Sequence, residues 1–359
     1  MQLTYQIHFV DVVLSPTAKH DVGAESSMDQ RSIEPAQEFP LGHRAYYMRL
    51  AAHGQVVVAS NEGEISILSE ALQRTGHFAL GHKVGSVGLS PDTSRIAITC
   101  DRGIRILDAV TGNEIALVPG AFHDAWFDDD DARLWAIRNV SSEQVVAEVR
   151  STHDFAVVHE AEIADPHFSS SWTFYAHPAA GLVTVWAAAG QDGQTSFWLQ
   201  CTAAGIEVRE YLPTDTTPPS FSEDGSEFLV GDDTELRRFG FPDCNLLGQY
   251  NVPEEQPALG YEFFYLSAKT ALIIVGEGLL AFLDINEMRI DSAVTIRGHE
   301  PRPTYEFYPS LANDTELIGD LSGIYRQDAE YFVTSHLALP GEGSGQKHVL
   351  VRWRNPLHV

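Results

Sequence analysis

Sulfur and positive charge are both scarce in this chain: 359 residues carry three cysteines, four methionines and 23 Lys and Arg against 50 Asp and Glu. Cys100, Cys201 and Cys244 are odd in number and far apart, which argues against a disulfide framework and against a cysteine-built metal site. The formal net charge of −27 disfavours nucleic-acid phosphate and anionic lipid as partners. A basic partner, a cation or plain solubility stay open. Long apolar runs are missing as well. The opening MQLTYQIHFVDVVLSP has no basic leader and alternates like a strand, so neither a signal peptide nor a membrane span is expected and the cytoplasm is the default location.

Local catalytic motifs are also absent. There is no H-E-x-x-H, no G-x-S-x-G elbow, no P-loop and no dinucleotide fingerprint. The 15 histidines are dispersed, Ser169 to Ser171 lack a patterned base, and PGEGSGQK lacks Walker spacing and reads as a link between antiparallel strands. The run Asp128 to Asp131 offers oxygens to a hard cation. It nevertheless falls at a hairpin position and lacks an Asp-x-Asp-x-Asp-Gly frame. No catalytic residue, metal or cofactor is assigned.

What the chain does have is a phrase repeated seven times: a bulky apolar residue, a set of turn residues, then an apolar strand. It reads Leu50-AAHGQ-Val56, Leu89-SPDTSR-Ile96, Phe127-DDDDAR-Leu134, Tyr175-AHPAAG-Leu182, Phe221-SEDGSE-Phe228, Tyr265-LSAKTA-Leu272 and Tyr308-PSLANDTE-Leu317. Its copies start 38 to 48 residues apart, the period of propeller blades. Further β-rich runs follow each phrase. In the second repeat SVGLS, RIAITC, IRILD and EIALVP are separated by turn signals at Asp101-Arg102-Gly103 and Thr111-Gly112-Asn113.

Four short strands per repeat predict an all-β, seven-bladed β-propeller with blades near residues 43–80, 81–119, 120–165, 166–213, 214–253, 254–298 and 299–355. The last repeat is short of strands, so the N-terminal strand, residues 3–10, is expected to close the ring by pairing into the last blade. Residues 11–41 then form a loop excursion within what is otherwise a single domain.

The second repeat resembles the WD-repeat family of β-propellers. Gly81-His82, Asp101 and Leu107-Asp108 occupy the places of that family's Gly-His pair, turn Asp and Trp-Asp pair, with Leu107 in place of the aromatic. Weaker echoes are Gly42-His43 with Glu62, Asp233, Leu283-Asp284 with Glu277, and Gly298-His299. The resemblance implies a structural role for His82, Asp101 and Asp108, in which a buried imidazole donates to the Asp101 carboxylate and ties a loop to a turn.

Aromatics recur on the first strand of each repeat. Most are expected in the core, while Trp126, Trp172, Tyr175, Tyr265 and Tyr308 are the candidates for a recognition surface. The leading expectation is a noncatalytic scaffold that binds another protein, a basic one among the options, through one face of the disc. One alternative is a lactonase or hydrolase with a site dispersed around the channel. The other is an acidic inhibitor or immunity-like protein that neutralises a basic partner.

Overall fold

A computed structural model describes residues 31–33, 35–41, 45–51, 54–128, 132–141, 144–164, 169–179, 181–189, 193–210, 216–253, 258–275, 279–296, 321–326, 330–338 and 347–357. Among these residues every regular element is a strand, and the strands form seven sheets in a propeller, antiparallel apart from one parallel pair.

The N-terminal strands are β1 (Arg31–Ile33) and β2 (Pro35–Pro40). Blade 1 is β3 (Tyr47–Leu50), β4 (Val56–Ala59), β5 (Glu64–Leu68) and β6 (Arg74–Ala79). Blade 2 is β7 (Ser86–Leu89), β8 (Arg95–Cys100), β9 (Gly103–Asp108) and β10 (Glu114–Pro119). Blade 3 is β11 (Phe122–Phe127), β12 (Arg133–Ser141), β13 (Gln144–Ser151) and β14 (Val157–Ile163). Blade 4 is β15 (Ser171–Ala176), β16 (Leu182–Ala188), β17 (Gln194–Thr202) and β18 (Gly205–Glu210).

Blade 5 is β19 (Ser220–Phe221), β20 (Glu227–Gly231), β21 (Glu235–Gly240) and β22 (Leu246–Asn251). Blade 6 is β23 (Leu259–Ser267), β24 (Thr270–Val275), β25 (Leu279–Asp284) and β26 (Arg289–Ile296). Blade 7 takes β27 (Leu321–Arg326), β28 (Tyr331–Ala338) and β29 (Lys347–Arg354) from the C-terminal part of the chain. Its fourth strand is β2, antiparallel to β29, with Pro40 opposite Val349.

The fourth strand of blade 7 is thus formed by residues 35–40, inside the stretch expected to be a loop excursion, and residues 3–10 lie outside the described residues. Just upstream of β2, β1 adds parallel to β26, Arg31 opposite Val294, giving blade 6 a fifth strand.

The repeated phrase folds as the turn between the first and second strands. Ser90 Oγ donates to Asp92 Oδ1 at 2.6 Å, Ser94 N to the same oxygen at 3.0 Å, and Arg95 N to Ser90 Oγ at 2.9 Å. In blade 5 the same bonds join Ser222 to Asp224, Ser226 to Asp224 and Glu227 to Ser222, at 2.8, 3.0 and 3.1 Å. These bonds hold both carboxyls below the usual carboxylate range despite the opposing cost of desolvation. The turn between third and fourth strands is then pinned to the first turn, with Ala109 N donating to Ser94 O at 2.9 Å and Phe241 N to Ser226 O at 2.8 Å. Both hairpins therefore sit at one end of the disc, called here the turn end.

Adjacent blades interlock at that end through residues with positive φ. Leu72, Phe155 and Met288 adopt φ of 51°, 58° and 47° and are buried. Left-handed backbone costs a non-glycine residue roughly 1–2 kcal/mol, which burial of a large apolar side chain offsets by about 1.5–3 kcal/mol. In blade 2 the equivalent residue is Gly112, φ 71°, because a Cβ there would stand 2.7 Å from the Phe78 ring of blade 1. Met288 fills the reciprocal place in blade 6, against Gly248 of β22.

Candidate interaction surface and axial network

The first strands of neighbouring blades touch around the axis, and there one charged network joins three blades. Asp124 on β11 is 1% exposed and is ion-paired with Arg49 of β3. Its Oδ2 also accepts the Phe174 N–H of β15 at 2.7 Å, and its Oδ1 accepts the Ala125 N–H at 2.7 Å. Arg49 donates further to the Ala125 carbonyl at 3.2 Å and lies 5.1 Å over the Trp126 ring. A carboxylate so buried is tolerable only with this many donors. Blade 2 stands between blades 1 and 3, and Gly88 of β7 gives the close approach: a Cβ there would lie 2.9 Å from the Ala125 oxygen. Burial lowers the pKa of neighbouring His123 against the pull of Asp124, and raises that of Tyr47, with Tyr46 and Asp124 adding to the rise.

Polar groups elsewhere are engaged in the same way. Buried Glu148 on β13 is held by Arg138 and by Arg150, the latter at 2.6 Å. A cavity of about 510 Å³ lies between the first turn of blade 5 and Ala268 of blade 6, lined by Ser222, Glu223, Asp224, Ser226, Glu227 and Arg238. Asp224 is committed to its turn, and Arg238 is forked onto Glu227 at 2.6 and 2.8 Å and bonded to the Ile285 carbonyl at 3.0 Å. Arg238 thereby braces blade 5 against blade 6. Among the described residues no group of three His, Cys, Asp or Glu is gathered as a metal site would require, and no helix is long and apolar enough to cross a membrane.

The residues singled out from the sequence fall in different surroundings. Asp108 accepts from Thr111 N and Oγ1 at 2.7 and 2.8 Å and from Val110 N at 3.1 Å, shaping the hairpin between β9 and β10. Thr111 holds its carboxyl below the usual range. The expected bond from His82 to Asp101 is replaced. His82 faces Arg105 on one ring nitrogen and the Lys83 carbonyl on the other, while Asp101 is exposed in the β8–β9 turn. Arg105 prevails because it stands on β9, where Glu114 fixes its guanidinium at 2.7 Å.

Trp172 is a core residue, 3% exposed, stacked on Phe197 at 6.0 Å and donating to the Ser169 carbonyl at 2.9 Å. Tyr265 is buried too, and burial drives its hydroxyl pKa well up. Neither presents a surface, since both point into the packing between blades. Trp126 and Tyr175 are half-buried, and Tyr308 lies outside the described residues. Asp128 is buried and paired with Arg133 at 3.1 Å, as a turn residue.

The surface that sequence reasoning missed is apolar. Val110, Ile115, Val157, Val158, Leu246 and Leu247 are exposed, from 43% for Val157 and Leu247 to 74% for Val110. All lie in the last hairpin or at the start of the outer strand in blades 2, 3 and 5, on the rim of the turn end. A β-bulge puts them there. Ladder pairing jumps from Glu114 to Ala116, from Val157 to His159 and from Leu246 to Gly248, leaving Ile115, Val158 and Leu247 as extra residues. Blades 1, 6 and 7 bulge at the same place, at Thr75, Asp291 and Ala36. Blade 4 keeps continuous register.

No family model and no curated protein sequence matches the chain. Among solved structures, the β-propeller domain of Cps50 (Swd1) from Myceliophteria thermophila is similar, with TM-score 0.57 and 10% identity over 87% of this chain and 99% of that one. Kuenenia stuttgartiensis hydrazine synthase is similar over 64% of this chain and 80% of that one, with TM-score 0.49 and 11% identity. The first likeness supports the fold: this is a seven-bladed β-propeller.

Proposed function

We propose that this WD-repeat-like propeller is a noncatalytic scaffold that binds another protein through the rim of its turn end. The observation that carries this reading is that six of the eight exposed large apolar side chains among the described residues lie on that rim. Scattered exposed apolar residues need no explanation, but a set repeated at equivalent positions of three blades marks a contact surface. The charge of −27 favours a partner with basic residues around its apolar contact, steering encounter and weakening with salt. The polar side chains of the axis and of the 510 Å³ cavity hold the ring together, which favours binding over catalysis.

Affinity capture from native extract, followed by mass spectrometry, tests the reading. It predicts a reproducible partner that is lost when Val158 and Leu247 are both changed to Lys. Capture of no partner, together with turnover in a hydrolase screen, overturns it.

A further inference from the structure

The outer strands differ in how they guard their free edges. β6, β10, β14, β18 and β2 each carry at least one charged residue, for example Glu207, Arg209 and Glu210 on β18. Charges on an edge strand discourage added strands. β22, Leu246-Leu247-Gly-Gln-Tyr-Asn, carries none in a chain with 50 acidic residues, and its two leucines are 54% and 43% exposed. Among the described residues it ends its sheet with no further strand, while the next blade has gained one by parallel addition of β1 to β26. Blade 7 likewise takes its outer strand from the distant β2. Twice, therefore, an outer edge of this disc captures an extended segment from elsewhere in the sequence.

We propose that β22 is a docking edge onto which a partner protein adds an extended, uncharged segment as a fifth strand of blade 5. Backbone hydrogen bonds would supply affinity and Leu246 and Leu247 an apolar footing, the mode known as strand addition. A second copy of the chain is the poorer occupant, since two bodies of charge −27 repel. Basic residues flanking the added segment are favoured for the same reason.

This inference rests on the scaffold reading and names its mode of contact. The probe is a synthetic peptide of alternating threonine and valine with lysines at both ends, titrated onto the full chain with hydrogen exchange as readout. Saturable binding is expected, with new protection over residues 246–251 and none over 205–210. Leu246→Lys with Leu247→Lys should weaken it at least tenfold, and a peptide with proline at alternate positions should not bind. Equal binding of the proline peptide, protection elsewhere, or outward-facing amides of β22, those not bonded to β21, already protected in the free chain overturns strand addition. So does self-association in sedimentation that is lost in the double variant. If the natural partner is still captured by this double variant but lost from Val158→Lys with Leu247→Lys, the scaffold reading survives and only this mode of contact falls.

Discussion

The axis and the rim of this disc invert the usual placement of side chains. At the axis Asp124, 1% exposed, joins blades 1, 3 and 4 through Arg49 and the Phe174 N–H. On the rim Val110, Ile115, Val158 and Leu246 stand in solvent, each more than half exposed. Charge is buried where it is fully paired, and apolar surface is exposed where none of the described residues covers it. The contrast teaches that the polar groups belong to the ring's own cohesion and that the unsatisfied surface is the rim.

The strongest way to break the comparison is at the axis. Asp124→Ala leaves Arg49 without its partner and frees the Phe174 N–H, so unfolding free energy should fall by about 3 to 5 kcal/mol, read as a lower denaturant midpoint. A loss under about 1 kcal/mol, within the range of an exposed ion pair, would show that the network is ornamental.

Between axis and rim, Met288→Ala removes the side chain that covers Gly248 and should cost about 2 to 5 kcal/mol. Met288→Gly relieves the φ of 47° and should be no worse, by thermal melting. If Met288→Gly is markedly less stable than Met288→Ala, backbone strain is not what burial offsets here.

Acid sharpens the comparison at the junction of blades 4 and 5. Burial pushes the pKa of His177 down from 6.5 to about 4, and its ring lies 4.2 Å from Phe221 and 4.8 Å from Phe241, with Nδ1 accepting the Ala179 N–H at 2.9 Å. The folded state thus binds the proton less well than the unfolded state. His177 contributes stability above pH 6.5 that is lost as pH falls from 6.5 through about 4. The melting temperature should drop across that window in the wild type and more shallowly in His177→Phe. Parallel pH profiles would refute the assignment.

The smallest effect on stability is expected at the rim. Leu247→Lys should shift unfolding by no more than about 0.5 kcal/mol while weakening partner binding. Those two results together separate a contact surface from a structural one.

The seven-blade frame was legible because the turn phrase is local chemistry: Ser90, Asp92 and Ser94 close their hairpin with their own side chains, as do Ser222, Asp224 and Ser226. The positive φ of Leu72, Phe155 and Met288 was not, since nothing in an apolar residue announces a left-handed turn that only a neighbouring blade stabilises. β2 was hidden for a similar reason. Its prolines read as loop, yet Pro35 and Pro40 end an outer strand, where proline is tolerated. Arg49 and Asp124 meet across three blades, and one sequence carries no sign of that pairing. The rim did leave a trace. Val157-Val158 and Leu246-Leu247 are adjacent apolar pairs, which regular alternation would send to opposite faces, and a bulge is what reconciles them with one edge.

The central claim is that the rim of the turn end binds protein. Its most direct test compares partner capture by the wild type and by the combined Val158→Lys and Leu247→Lys variant, with both shown to melt at the same temperature. The account predicts a partner recovered by the wild type and lost from the variant. Equal recovery of the same partner by both would contradict it.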